Sequence, residues 1–594
     1  MAKIIMAPRE ENKIARVEIN DYRFIPVIFI PGIMGSNLKT NDKKNIVVWR
    51  YDSNASLLGW ATPFSGAVER KNVLDPKKVE VDDRGDIVST YLYAKEVDRL
   101  KKELSTNYNY MEYEGKYQKI KQLEENDPET KLFGTRRSRG WGEVAAASYG
   151  TFLDSLQNLL FHEKPDWDKP LGEKFKSLLN QPLGTEYCCE GNEDSLNEKD
   201  LDVIKKYYYP VHAMGYNWLG SNKDSAKRLD QKITEIVAGY KARSIKCHKV
   251  ILITHSMGGL VARYYSECLV DEKSNALNRG KKNVYGIIHG VMPSTGAAAA
   301  YTRIKRGTEN PESSLVGYVT SHILSRDAAE MTAICSQSPG PLELLPPAEY
   351  GSDWLKITDR HGKTFLPVED DPYANVYLKR DVWWKLMDEN LLNPLNKKMD
   401  KKQIEDDWVI YQNLIKDTIK FHRDILNKYH INTYSFYGKV NGDIIPEAYR
   451  TQEVARWKGN LATGDVKLLK KKALDDGRLL PEEIMEKRTV VDNLSESEKA
   501  WRASDQARGR LKNHYKNIAY IGQCFTLQDA SENGDGTVPV RSGQIPDKFI
   551  KERLSLNIAH EPAYRHEISQ AFTLRSIIKI AQEVNHDAEM AWKD

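Results

Sequence analysis

The run Lys249-Val250-Ile251-Leu252-Ile253 enters Thr254-His255-Ser256-Met257-Gly258-Gly259, and the chain continues as Leu260-Val261-Ala262-Arg263-Tyr264-Tyr265. An apolar, β-branched run without polar alternation reads as a strand buried on both faces, as in a parallel sheet. The segment beyond the glycines has helical character, so the turn joins a strand directly to a helix. Two more strands of the same kind are expected, at Phe24–Ile30, ending in Pro31-Gly32, and at Val284–His289. Between Ser225 and Tyr240, residues Ala226, Leu229, Ile233, Ile236 and Val237 recur at helical spacing. Helix, strand, helix, strand is the alternation of an α/β protein with a mostly parallel central sheet flanked by helices.

Three stretches break that rhythm. Residues from about 40 to 140 are polar, tyrosine-rich and irregular. From about 301 to 430 the chain turns helical and aromatic around Trp383-Trp384 and Trp408. A third stretch, about 450 to 515, is rich in Lys, Glu and Arg. All three read as insertions in a sheet core. The core's first part spans 1–300, a helical cap 301–430, and its second part 431–594. Near the end, Gly534-Asp535-Gly536-Thr537-Val538-Pro539 forms a tight acidic turn. Leu554–Ala559 reads as a short strand leading straight into His560, and Ser569–Val584 as a closing amphipathic helix.

A serine hydroxyl is a weak nucleophile at neutral pH and needs both exposure and a base. The strand–turn–helix at Thr254–Gly258 supplies exposure, since a side chain at the apex of a sharp turn stands clear of the sheet. The turn demands small neighbours two residues either side; Gly258 meets that demand, whereas Thr254 stands where glycine is usual. A histidine held in one tautomer by a carboxylate would serve as base. In the α/β-hydrolase fold the order along the chain is serine, acid, histidine. Ser256, Asp535 and His560 follow it, with Asp443 as a second candidate acid and His566 as a second candidate base. The oxyanion of an acyl-transfer intermediate needs backbone N–H donors. Met257, directly after the serine, and Ile33, in Pro31-Gly32-Ile33-Met34-Gly35, are the expected pair. His255 reads as a packed or hydrogen-bonded neighbour.

No histidine or carboxylate cluster has metal-ligand spacing and no phosphate-binding Gly-Lys loop occurs, so neither a metal nor a cofactor is expected. With 88 basic against 84 acidic residues the chain shows no basic stripe for nucleic acid. The run Lys470-Lys471-Lys472 reads as a solvated helix face. Six scattered cysteines suggest packed thiols rather than a disulfide framework. The N-terminal apolar run is too short for a signal peptide, and no stretch approaches a membrane span. Synthesis as a soluble cytosolic product is expected, with any export by a route that needs no cleaved signal.

Pro26–Leu38, Gly215-Tyr216-Asn217-Trp218, Thr254–Gly259 and Gly534–Val538 together resemble the lecithin:cholesterol acyltransferase and lysosomal phospholipase group. With Arg139–Val144, Pro210–Trp218 and His289–Pro293 added, the chain looks most like bacterial type VI secretion lipase effectors, over about 25–350 and from 430 onward. The resemblance implies an α/β-hydrolase with a helical cap and hydrolysis of membrane phospholipid esters. It assigns the triad to Ser256, Asp535 and His560, and the oxyanion hole to Ile33 and Met257. It also implies toxicity to rival bacteria, a cognate immunity protein, a secretion-spike partner, and action in the periplasm or at the membrane of the target cell. A non-lipid carboxylesterase, an acyltransferase and an inactive binding scaffold are the rival readings.

Overall fold

A computed structural model of the chain describes residues 22–52, 66–88, 127–161, 189–191, 203–270, 280–307, 327–465 and 519–584, with isolated positions between them and after the last. Its centre is a seven-stranded sheet. In chain order the strands are β1 (Val27–Ile30), β2 (Cys189–Gly191), β3 (Val211–Ala213), β4 (Val250–His255), β5 (Val284–Gly290), β6 (Thr433–Gly438) and β7 (Glu552–Leu556). Across the sheet the order is β2–β7–β6–β5–β4–β1–β3. All neighbours run parallel except β2 against β7.

Parallel strands need crossovers, and the crossover helices cover both faces. That is why Val27–Ile30, Val250–His255 and Val284–Gly290 are buried at every position. One face packs Phe29, Ile251, Ile253, Ile288 and Phe436 against helices α1 (Ala146–Leu160) and α5 (Glu567–Val584). The other packs Ile28, Ile30, Leu252 and Ile287 against α2 (Asn222–Ala242), α3 (Gly258–Cys268) and the end of α4 (Lys401–Ile425). Ser221 caps α2, its hydroxyl accepting from the Lys223 amide.

The segment read as a helical cap contains helices Ala298–Arg306, Ala328–Cys335 and α4, but also strands Leu355–Thr358 and Thr364–Phe365. These join Ala455–Asp465 and Ala519–Leu527 in a second, four-stranded sheet. Trp354, Trp408, Tyr377 and Trp457 form an apolar cluster of their own there, with Trp383 and Trp384 packed against it. The short strands were missed because Leu355-Lys356-Ile357-Thr358 is too brief to show a period. Helix Ala67–Val73, within the first insertion, docks on Ala328–Cys335 through the buried pair Arg70–Glu330, 3.0 Å apart. Lys470–Lys472 and most of the third insertion lie outside the described residues. Cys247, Cys268 and Cys335 are buried thiols.

Candidate active site

Strand β4 ends at His255, and Ser256 is the first residue past it. The serine adopts φ 51°, in the left-handed region that L-residues other than glycine avoid. Two contacts hold it there. The Ser256 amide donates to the Gly290 carbonyl at the end of β5 (3.0 Å), and α3 begins at once. Helix α3 starts so close to β1 that a Cβ on Gly258 would stand 2.4 Å from the Pro31 carbonyl oxygen. No residue but glycine fits that position.

Thr254, where glycine is usual, has a local explanation. Its hydroxyl lies 2.8 Å from His289 Nδ1 on the neighbouring strand, and its carbonyl accepts from Tyr564 Oη at 2.8 Å. A buried hydroxyl with a partner carries little desolvation cost.

The three sequence candidates meet across the carboxyl ends of β4, β6 and β7. His560 Nε2 is 2.9 Å from Ser256 Oγ, and His560 Nδ1 is 2.8 Å from Asp535 Oδ2. A carboxylate only accepts, so Nδ1 carries the proton and Nε2 is free to accept from the serine. The other Asp535 oxygen accepts from the Thr537 and Val538 amides, at 2.9 and 2.6 Å. The His560 amide donates to the Asp535 carbonyl at 2.9 Å, fixing acid and histidine loops together. Asp535 is buried, and Ser256 is only 4% exposed.

The alternatives fall elsewhere. Asp443 is exposed in the turn after β6, and no hydrogen bond of His560 runs to it. His566 ends the short helix Ala563–Arg565, ahead of α5, and burial lowers its pKa. Strand β7 stops at Leu556, three residues before the expected end, because Ile558 turns back to bond the Leu556 carbonyl. The histidine therefore sits on a loop, which gives it reach. The Ile33 and Met257 amides have no protein acceptor among the described residues. Gly32, just before Ile33, packs its backbone on Ser256.

Sequence reasoning missed Tyr149. Its hydroxyl accepts from the Gly32 amide (3.3 Å) and lies 3.0 Å from His255 Nδ1. Nothing local marks it, since its partners are over a hundred residues away along the chain. His255 Nε2 is 2.8 Å from the His560 carbonyl. Burial, and then the neighbouring His560, push the His255 pKa down to about 3. Among the described residues no group of three His, Cys, Asp or Glu side chains is placed to hold a metal ion.

A mostly parallel, helix-flanked sheet with a serine on the left-handed turn after a central strand defines an α/β-hydrolase. Residues 219–273, from the start of α2 through the serine turn and past α3, match the family model described as PGAP1-like alpha/beta domain. No curated protein matches the chain. Among solved structures, the chain is similar to one described as "The crystal structure of Tle4-Tli4 complex", with a TM-score of 0.64 and 25% identity. That likeness covers 94% of this chain and 99% of the other. The resemblance to type VI lipase effectors read from the sequence motifs and this structural likeness agree.

Proposed function

We propose that the chain is a lipolytic serine hydrolase that cleaves ester bonds of membrane phospholipids and acts as an antibacterial type VI effector. The observation that carries the chemistry is the hydrogen-bonded line from Ser256 through His560 to Asp535. Ser256 Oγ attacks the ester carbonyl as its proton passes to His560 Nε2. Asp535 holds the imidazole and stabilises its charged form. The Ile33 and Met257 amides receive the oxyanion, each donor contributing about 3 kcal/mol in the transition state. Collapse of the intermediate breaks the ester C–O bond, and His560 returns the proton to the departing alcohol. Water, deprotonated by the same histidine, then releases the fatty acid and restores the serine.

The lipid class rests on the sequence resemblance together with the likeness to Tle4. The second sheet and the helices between 298 and 425 form the cover over the acyl site in this reading. A cognate immunity protein as partner is supported by the likeness to a chain solved as a complex with Tli4. Delivery by a secretion spike and action on the target cell's membrane follow from the same resemblance.

The test is incubation of the purified protein with a bacterial lipid extract, with products identified by mass. Free fatty acids and lysolipids are expected from the wild type and none from Ser256→Ala. An alanine variant that keeps more than a few per cent of the activity would remove Ser256 from the nucleophile's role.

A further inference from the structure

Four groups form one hydrogen-bonded line beside the triad, and its polarity follows from chemistry alone. A backbone carbonyl can only accept, so His255 Nε2, 2.8 Å from the His560 carbonyl, carries the hydrogen. A neutral imidazole protonated at Nε2 has a bare Nδ1, which must accept from Tyr149 Oη at 3.0 Å. The tyrosine oxygen in turn accepts from the Gly32 amide at 3.3 Å. The line therefore runs Gly32 N–H to Tyr149 O–H to His255, and from His255 N–H to the His560 carbonyl.

Its two ends are informative. One lies next to Ile33, the proposed oxyanion donor; the other is the main chain of the proposed base. His560 is thereby held through both of its backbone groups, its amide by the Asp535 carbonyl and its carbonyl by His255. Tyr149 is itself fixed, its ring packed on Phe29 and His255 with centroids 4.9 and 5.5 Å apart. Burial keeps the tyrosine phenol protonated and His255 neutral across the working range, so the polarity does not invert.

We infer that His255 and Tyr149 are positioning residues, a rigid strut that sets the base loop and the oxyanion loop at one fixed separation. The inference rests on the serine-hydrolase reading above. Neither residue touches substrate; each acts through its hold on a loop that does. A displacement of about 1 Å in a reacting group can cost about a hundredfold in rate, so a strut of this kind shows in turnover rather than in binding.

The experiment measures kcat and KM on a soluble p-nitrophenyl ester, and the rate of labelling by a fluorophosphonate, on the full chain. The variants are Tyr149→Phe, His255→Leu and His255→Gln, with Ser256→Ala as reference. A glutamine amide can still donate to the His560 carbonyl, so His255→Gln restores that half of the strut. Expected are a fall of about a hundredfold in kcat for His255→Leu and about tenfold for Tyr149→Phe, with KM nearly unchanged. His255→Gln should recover most of the loss. Should His255→Leu fail to fold, Tyr149→Phe removes a single oxygen and carries the test alone. Labelling of all three variants at the wild-type rate would overturn the strut while leaving the triad intact. Equal losses for Gln and Leu would overturn the role of the bond to His560. A wild type that resists the fluorophosphonate, or a Ser256→Ala chain that accepts it, would remove the serine-hydrolase reading itself.

Discussion

The backbone of Gly32 lies so close to Ser256 that a Cβ added to it would stand 3.0 Å from the serine's own Cβ. The same atom would stand 2.9 Å from His255 Nδ1. Both neighbours are buried and tightly held, so neither yields readily. Gly32→Ala should push the Ile33 amide away from the reacting centre and lower kcat by about a hundredfold. Steady-state kinetics together with a melting curve check this: a large loss of rate with a small loss of stability is expected.

His560 and His566 are six residues apart, yet only the first reaches Ser256. His560→Ala should match Ser256→Ala in severity, because members of a triad act as a unit. His566→Ala should cost about tenfold or less, through disturbance of the loop before α5. The reverse ranking in ester hydrolysis would move the base to His566.

Ser256 is only 4% exposed, and the His560 side chain 15%. On the proposal that the second sheet and the helices between 298 and 425 cover the acyl site, a two-chain lipid reaches this hydroxyl only when that segment moves. Activity should therefore rise more on micelles or vesicles than on a short soluble ester. Hydrogen exchange over residues 298–306 and 327–425 should change when an acyl-phosphonate occupies the serine. No interfacial preference and unchanged exchange would sink the moving cover.

Stability should fall steeply in mild acid. Burial pushes His255 and His289 down to about 3 and His422 and His430 to about 4, and places His212 well below the ordinary 6.5. In the unfolded chain these groups take up protons below about 6.5, while in the folded chain they stay neutral. Unfolding thus takes up protons, and stability drops as pH falls from about 6.5 towards 4. Glu343, raised to about 8 by burial, opposes this. Its contribution is present below about 4.5 and is lost as pH rises towards 8; Asp52, Asp127 and Glu267, also raised by burial, act in the same direction, against these five histidines and His566. Urea unfolding midpoints across pH 4 to 8 should show a net rise from 4 to 6.5.

Arg70 and Glu330 are both buried, and removing one of them takes away a compensating charge from the other. Arg70→Ala should destabilise by about 3–5 kcal/mol, whereas exchanging both for methionine should cost far less. Denaturant titration of the two variants distinguishes the cases.

The central architecture was readable because parallel strands announce themselves as unbroken apolar runs. The strand Val284–Gly290 begins where the sequence places it and Val250–His255 one residue later, each extending slightly past its expected end. The serine, acid and histidine that stand in order along the chain lie within hydrogen-bond reach in space. His560 and His566 stayed open in the sequence because a base's identity depends on where β7 stops, and the turn of Ile558 back to the Leu556 carbonyl decides that. Asp443 stood second to Asp535 in the sequence because it too lies beside a glycine in a turn; the bond from His560 Nδ1 and the Thr537 and Val538 amides, all made to Asp535, tell them apart. The second sheet was invisible for another reason. Its strands come from three separate segments, 355–365, 455–465 and 519–527, and their pairing leaves no periodic mark. Tyr149 belongs to the same class, a residue whose role exists only through contacts distant along the chain.

Ser256 and Val291 both follow strand ends, and both sit in the left-handed region, at φ 51° and 45°. Each conformation costs about 1–2 kcal/mol against glycine, more for a β-branched valine. The turns are held by the sheet, not by their own preferences, so durability and activity pull in opposite directions at this edge. A chain selected only to resist heat would place glycine at both positions, and at the first of them it would lose the hydroxyl.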